Sequence, residues 1–255
     1  MITKTELMEI AKIKSINNIG YAEKDYLIEL FLFSISRNTK RELIFKGGTA
    51  LYKFYKLERF SEDLDFSEIV SINIENLSKK IISDLLKFRV EIQVFKVKEP
   101  FNSILLNFRA KGPLYNSNDI TLSSIKVDIN KKSKVELEPL RLRFSSLYTE
   151  IPPFYILVMQ EKEILAEKIR ALVTRNKARD LFDILHLIHK NIDIDKKLVK
   201  KKLNYYDLNI TDDLLLEAID RKKNIWDNEL RPVINELPSF KDVKNKVLEN
   251  MPKFD

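Results

Sequence analysis

Two glycines and two aspartates are the residues most able to do chemistry in this 255-residue chain. The chain contains only four glycines, yet Gly47 and Gly48 are adjacent within FKGGTALYKFYKLERFSEDLDFS, residues 45–67. Where a strand ends in glycines and a helix begins, the backbone can approach a phosphate closely. The first N–H groups of the helix, aided by its dipole, then point at the anion. Thr49 can add a hydroxyl donor, and Lys46 and Lys53 add charge nearby. Downstream, Ser61-Glu62-Asp63-Leu64-Asp65 alternates. On a strand, Asp63 and Asp65 share a face, joined by Ser61 if the strand begins early enough. Two like carboxylates so placed repel one another and are costly to bury, and a divalent cation removes that cost. Metal ions about 3.5–4 Å apart, bridged by carboxylates, can hold a triphosphate, activate a hydroxyl and neutralise a departing pyrophosphate. Each piece has a plainer reading alone: a tight Gly-Gly turn, a solvated edge strand, or Arg59 pairing with one of the aspartates.

The elements that must position these residues follow from periodicity. Residues 4–14 and 22–37 read as helices, the second with a dense apolar face. LIFK (43–46) reads as a strand, 49–57 as a helix with Thr49 near its start, and 63–67 as an alternating strand. Residues 73–88 read as a helix with Asn73 as N-cap. From 90 to 145 the pattern changes to β-rich runs, VEIQVFKV, SILLNFRA, ITLSSIKVDIN and VELEPLRLRF, separated by Pro100, Gly112-Pro113 and NSND. After Pro152-Pro153 and FYILVM, helices are expected at 161–175, 179–190, 196–203, 211–225 and 240–250. The order predicts an α+β fold: a domain over 1–155 with a mixed sheet, then a helical bundle over 156–255.

Gly-Gly, a short helix and D-x-D on the next strand resemble the core of the nucleotidyltransferase superfamily that includes DNA polymerase β. The resemblance implies that the glycines hold triphosphate, that D-x-D binds metal, and that a third carboxylate comes from a later strand. Asp128, set between Val127 and Ile129, is the best-placed residue for it, with Glu91, Glu136 and Glu138 competing.

A second constellation lies in EKEILAEKIRALVTRNKARDLFDILHL, residues 161–187. Lys168, Ala171 and Arg175 share a helical face. Arg179 and Asp180 precede a second helix carrying Asp183, and an acid there suits the helix N-terminus. Taken alone, Lys168 and Arg175 read as solvated helix charges. The two stretches together closely resemble the AbiEii/AbiGii nucleotidyltransferase-like proteins, which include type IV and abortive-infection toxins. The pattern G-G-[T/S]-x-L followed by R-x-S-x-D-x-D is met by Gly47, Gly48, Thr49, Leu51, Arg59, Ser61, Asp63 and Asp65. The pattern K-x-x-A-x-x-x-R-x-x-x-R-D-x-x-D is met by Lys168, Ala171, Arg175, Arg179, Asp180 and Asp183.

The resemblance implies an enzyme that transfers NMP from an NTP, with Mg²⁺ or Mn²⁺. Asp63 and Asp65 would be catalytic and metal-binding, with Asp128 completing the metal set. Lys46, Gly47, Gly48, Thr49, Ser61, Arg175 and Arg179 would bind nucleotide. Lys168 would reach the triphosphate, Asp180 would close the site, and the active site would lie in the cleft between the two domains. An RNA such as tRNA is the expected acceptor and an antitoxin the expected partner. The alternatives are a protein NMP-transferase and a binder of nucleotide or RNA without turnover.

Composition agrees. The chain is 44% hydrophobic and 33% charged, with a net charge of +7, which suits a folded protein with an anionic partner. With no Cys and two His, a metal would be held by carboxylates, which favours hard ions. No apolar run is long enough to cross a membrane and the start lacks an apolar core, so a cytoplasmic protein is expected. Lys- and Arg-rich stretches at 130–134, 195–202 and 220–226, with Arg141, Arg143, Tyr205-Tyr206 and Trp226, could dock RNA, or could equally be solvated faces over core aromatics.

Overall fold

The computed structural model describes residues 1–100 and 102–254; Asp255, the end of the expected helical domain, lies outside them. The chain divides into two units that are not continuous in sequence. One comprises Met1–Thr49, Glu62–Lys134 and Pro139–Val158; the other comprises Ala50–Ser61, Val135–Glu138 and Met159–Asp255.

The first unit is built on one mixed sheet. Its strands are β1 (Leu43–Lys46), β2 (Leu64–Glu68), β3 (Glu91–Lys98), β4 (Ser103–Lys111), β5 (Ser123–Asn130), β6 (Leu140–Phe144) and β7 (Phe154–Val158). They lie in the order β3-β4-β5-β2-β1-β7-β6. β3, β4 and β5 form an antiparallel meander, whereas β5 pairs parallel to β2 and β7 parallel to β1. The burial alternates along β4 and β5, as half-covered strands demand. Phe108, Leu106, Ile104, Ile125, Val127 and Ile129 go inward.

The inward face is covered by α2 (Ile19–Asn38) and α4 (Ile74–Lys87), with α1 (Lys4–Ile13) against α2. α2 is buried from Tyr26 to Ile35, with Phe31 edge-on to Phe108 and Phe33 to Phe154. A helix apolar nearly all round belongs inside. Asn18 and the expected Asn73 cap α2 and α4 through their side chains. No helix among the described residues is long and apolar enough to cross a membrane.

The second unit is helical: α5 (Glu161–Thr174), α6 (Ala178–His189), α7 (Lys196–Asn204), α8 (Asp212–Asp220), α9 (Trp226–Leu230) and α10 (Phe240–Asn250). α5 packs against α6, α7 and α8. Trp226 is buried, donates from its indole N–H to Pro238 O, and lies edge-on to Phe240. Lys202, in the basic run of α7, is also fully buried, held by Glu163 at 2.6 Å and Glu167 at 3.2 Å.

Four local expectations need adjustment. The helix after the glycines, α3, spans Gly47–Phe54. It ends where Lys56 turns to φ 59 and Leu57 N–H returns to Leu51 O, a left-handed cap. β2 begins at Leu64, so Asp63 precedes the strand and Ser61 lies further outside it. Residues 135–138 are not strand, because Glu136 and Leu137 donate their N–H groups to the Glu163 carboxylate. The expected helix 211–225 breaks after α8, where the turn buries Lys222.

Candidate active site residues

In the sheet unit, register brings the acids together. Asp65 on β2 is the Cα partner of Lys46 on β1 and of Asp128 on β5. The two aspartates therefore sit side by side on adjacent parallel strands, about 4.8 Å apart by strand spacing. Both are half-buried. Lys46 is buried beside them.

Gly47 follows, at φ 74, a conformation that suits glycine. A Cβ added there would overlap Asp65 Oδ2 and lie 2.9 Å from Asp65 Cβ. The absence of a side chain at Gly47 is thus what lets the Asp65 carboxylate lie against the start of α3. Thr49, in the first turn of α3, donates its hydroxyl to Asp63 O at 2.5 Å. That bond ties the helix start to the D-x-D segment. Among the described residues, no group of three or more His, Cys, Asp or Glu is gathered tightly enough to hold a metal ion by itself. The rival acids are engaged elsewhere: Glu91 with Lys111, and Glu136 with Lys201 and Tyr205. Glu138 is exposed.

In the helical unit, the second constellation is a buried ion cluster. Lys168 Nζ lies 2.9 Å from Asp180 and 2.7 Å from Asp183. Arg59 grips Asp183 with two bonds, Nε and Nη2 each at 2.7 Å. Arg175 grips Asp180 likewise, Nε at 2.6 Å and Nη2 at 2.8 Å. Lys168 is 6% exposed and both aspartates are fully buried, so the reading of Lys168 as a solvated helix charge does not hold. Only Arg175, its side chain 57% exposed, extends toward water. Arg59 pairs with Asp183, not with Asp63 or Asp65 as the plainer reading allowed.

Burial alone would push the Asp180 carboxyl up; Lys168 and Arg175 outweigh it and hold the group well below the usual carboxylate range. Asp183 is held low against the same burial by Arg59 and Lys168. Burial would lower Lys168, and Asp180 with Asp183 reverse this, raising it above its ordinary value. All three stay charged at neutral pH. Arg179 is half-exposed on α6 and makes no ion pair among the described residues.

The loop between α5 and α6 is fixed by residues that no motif announced. Lys222 Nζ donates to Leu172 O at 3.1 Å and Arg175 O at 2.7 Å, satisfying carbonyls at the end of α5. Glu229 accepts from Ala178 N–H at 2.8 Å, at the start of α6. Nothing in the sequence distinguishes Lys222 from the other cations of its run. Arg59 and Asp183 had a signal, since each belongs to one of the two spaced patterns.

Comparison with known proteins adds a family. A family model described as "Nucleotidyl transferase AbiEii toxin, Type IV TA system" matches residues 30–254. No curated protein matches the sequence. Among solved structures, the chain is similar to MenT4, the nucleotidyltransferase toxin Rv2826c of Mycobacterium tuberculosis H37Rv. The TM-score is 0.66 at 17% identity, over 98% of this chain and 88% of that one. It is also similar to JHP933 of Helicobacter pylori, with TM-score 0.58 and 18% identity over 90% of this chain and 89% of that one.

Proposed function

The chain belongs to the AbiEii family of nucleotidyl transferase toxins, and from that premise we propose that it transfers NMP from an NTP to the end of an RNA, such as a tRNA, in a Mg²⁺-dependent reaction. The observation that carries this reading is the placement of Asp65 beside Asp128 in register, against a glycine whose Cβ would displace the Asp65 carboxylate. Hard oxygen donors suit Mg²⁺ or Mn²⁺. Mg²⁺ is ordinarily held by one or two carboxylates, water and substrate phosphates, without a closed protein cage. Asp65 and Asp128, with Asp63 two residues before Asp65, would hold the ion. Bound there, it would neutralise charge on the triphosphate and on the departing pyrophosphate.

The chain's own residues do the rest. The N–H groups of Gly47 and Gly48 at the start of α3 receive phosphate oxygens, and Lys46 adds positive charge. Thr49 keeps the helix start and Asp63 together. Ser61 contributes a hydroxyl near phosphate. In the helical unit, Arg175 and Arg179 are the cations open to an anionic ligand. Lys168 and Asp180 hold Arg175 in place through the shared carboxylate, and Lys168 contributes fixed positive charge. The acceptor hydroxyl attacks the α-phosphorus and gives its proton to a carboxylate of the Asp63, Asp65 and Asp128 set; the bond to the bridging oxygen breaks, and pyrophosphate leaves with that oxygen. A net charge of +7 supports an anionic acceptor. An antitoxin is the expected partner and the cytoplasm, where NTP is found, the expected place of action.

The test is incubation with each α-labelled NTP, Mg²⁺ and total RNA or total protein. Label in an RNA band, lost in Asp63→Ala, is the expected result. Label only in protein makes the chain a protein NMP-transferase. No label with any NTP, while NTP still binds, makes it a binder without turnover.

A further inference from the structure

The outward face of the β3–β5 meander carries a cluster that no motif includes. On β4, Leu105, Asn107 and Arg109 alternate with the buried Ile104, Leu106 and Phe108. On β5, Ser124, Lys126 and Asp128 alternate with buried Ile125 and Val127. The ladder sets Asn107 opposite Lys126 and Leu105 opposite Asp128. On β3, Lys96 stands opposite Asn107 and Lys98 opposite Leu105. Lys96, Lys98, Lys126 and Arg109 thus share one face with Asp65 and Asp128. Lys126 is about 7 Å along β5 from Asp128, and Lys98 is roughly 10 Å away across two strand spacings. None of these four cations makes an ion pair among the described residues, whereas Glu91, at the far end of the face, is held by Lys111 at 2.5 Å.

The ladder of β3 slips between Val94 and Lys96, leaving Phe95 as the extra residue of a bulge. A bulge re-aims a side chain. Phe95 is 51% exposed, and the Arg109 guanidinium stacks over its ring, 3.6 Å from the centroid. A half-exposed ring with a guanidinium against it contributes little to the core, but it offers the flat, cationic platform on which an unpaired base stacks.

We propose that this face, from Phe95 and Arg109 across Lys96 and Lys126 toward Asp128, seats the unpaired end of the acceptor RNA, with one base on the Phe95–Arg109 platform and the backbone along the lysines. The proposal rests on the reading of the chain as a transferase to RNA. A paired base presents no free ring face, so the preference is for a single-stranded extension.

The experiment is fluorescence anisotropy, without NTP, on a labelled RNA hairpin bearing a short unpaired 3′ extension, on the same hairpin made blunt, and on the extended hairpin as DNA. Wild type should bind the extended RNA more tightly than the other two. Phe95→Leu, which keeps an apolar side chain at a half-exposed position, should weaken the extended RNA about tenfold and leave the blunt one unchanged. Phe95→Tyr should retain binding. Lys126→Glu should flatten the slope of log K against log salt by about 0.7 for each phosphate left without its cation. Equal affinity for extended and blunt RNA, equal affinity for DNA, or no effect of Phe95→Leu would each overturn the proposal. The two readings fail separately. RNA labelled by the wild type with an unchanged KM in Phe95→Leu removes the docking face and keeps the activity. Loss of binding in Phe95→Leu with no RNA labelled by the wild type keeps the face and removes the activity.

Discussion

The two constellations solve the problem of clustered charge in opposite ways. In the helical unit, Arg59, Lys168 and Arg175 surround Asp180 and Asp183 at 2.6–2.9 Å, and apart from Arg175 the groups are shut from water. The charges are satisfied by the protein itself, which makes the cluster a fixed part. In the sheet unit, two like charges, Asp65 and Asp128, are side by side and half-exposed, with the cation Lys46 in register beside Asp65. Such a pair is favoured by added positive charge, so it is the region expected to respond to a cation or substrate. Changes in the first region should therefore cost stability, whereas changes in the second should cost turnover with little loss of stability.

The sharpest test of that division is Asp65→Asn. Transfer should fall about a thousandfold or more, the several kcal/mol that a metal-bound site supplies. The melting temperature should change far less than in the ion-cluster variant Asp183→Ala, since the amide keeps the shape of the carboxylate beside Gly47 and Lys46; a fall as large as that of Asp183→Ala would mean that Asp65 is structural. Asp183→Ala is the converse. It leaves Arg59 and Lys168 buried with fewer partners, so chemical denaturation should show a loss of about 3–5 kcal/mol, and a negligible loss would show that the cluster is solvated. Gly47→Ala should affect both properties: about 1–2 kcal/mol of stability from the left-handed backbone, and a larger proportional loss of turnover as Asp65 is displaced. Unchanged turnover would separate Asp65 from the helix start.

The smallest effects come from pH. Asp180 and Asp183 have depressed folded-state values. Their contribution is fully present above the ordinary carboxylate range and is lost as pH falls below about 4 toward the folded values. Lys168, raised, keeps its contribution until pH exceeds its ordinary value near 10.5. His186, near Tyr55 O at 3.0 Å, is lowered chiefly by burial. It favours the folded state above about pH 6.5, and that contribution falls as pH drops through the unfolded and then the folded value. Urea midpoints between pH 7.5 and 5 should decline gently in wild type and less in His186→Gln; parallel declines would remove His186 from the account.

Much of the sheet unit could be read locally. Alternation marked β4 and β5, glycine chemistry marked the β1–α3 turn, and Asn73 announced its own cap. The register could not be read. Alternation says which face Asp65 and Asp128 occupy, but not that their strands are neighbours, because that pairing joins distant parts of the chain. The ion cluster was hidden for a related reason. Helical spacing placed Lys168 and Arg175 on one face, yet a charged face ordinarily meets water, and only the fold shows that Arg59 arrives from elsewhere in the sequence. Residues 135–138 look like strand until Glu163 takes their N–H groups, and Lys222 looks like one more surface cation.

The ownership of Ala50–Ser61 by the helical unit has a consequence for synthesis. Arg59 leaves the ribosome long before its partner, which is 124 residues later. Until then the segment lacks the helices it packs with, and Lys168 emerges before either aspartate that neutralises it. A fragment starting at Met159 would carry Asp183 without Arg59, a buried carboxylate with one of its two cations missing. A cut near residue 158 therefore divides the helical unit between the two pieces and parts Arg59 from Asp183.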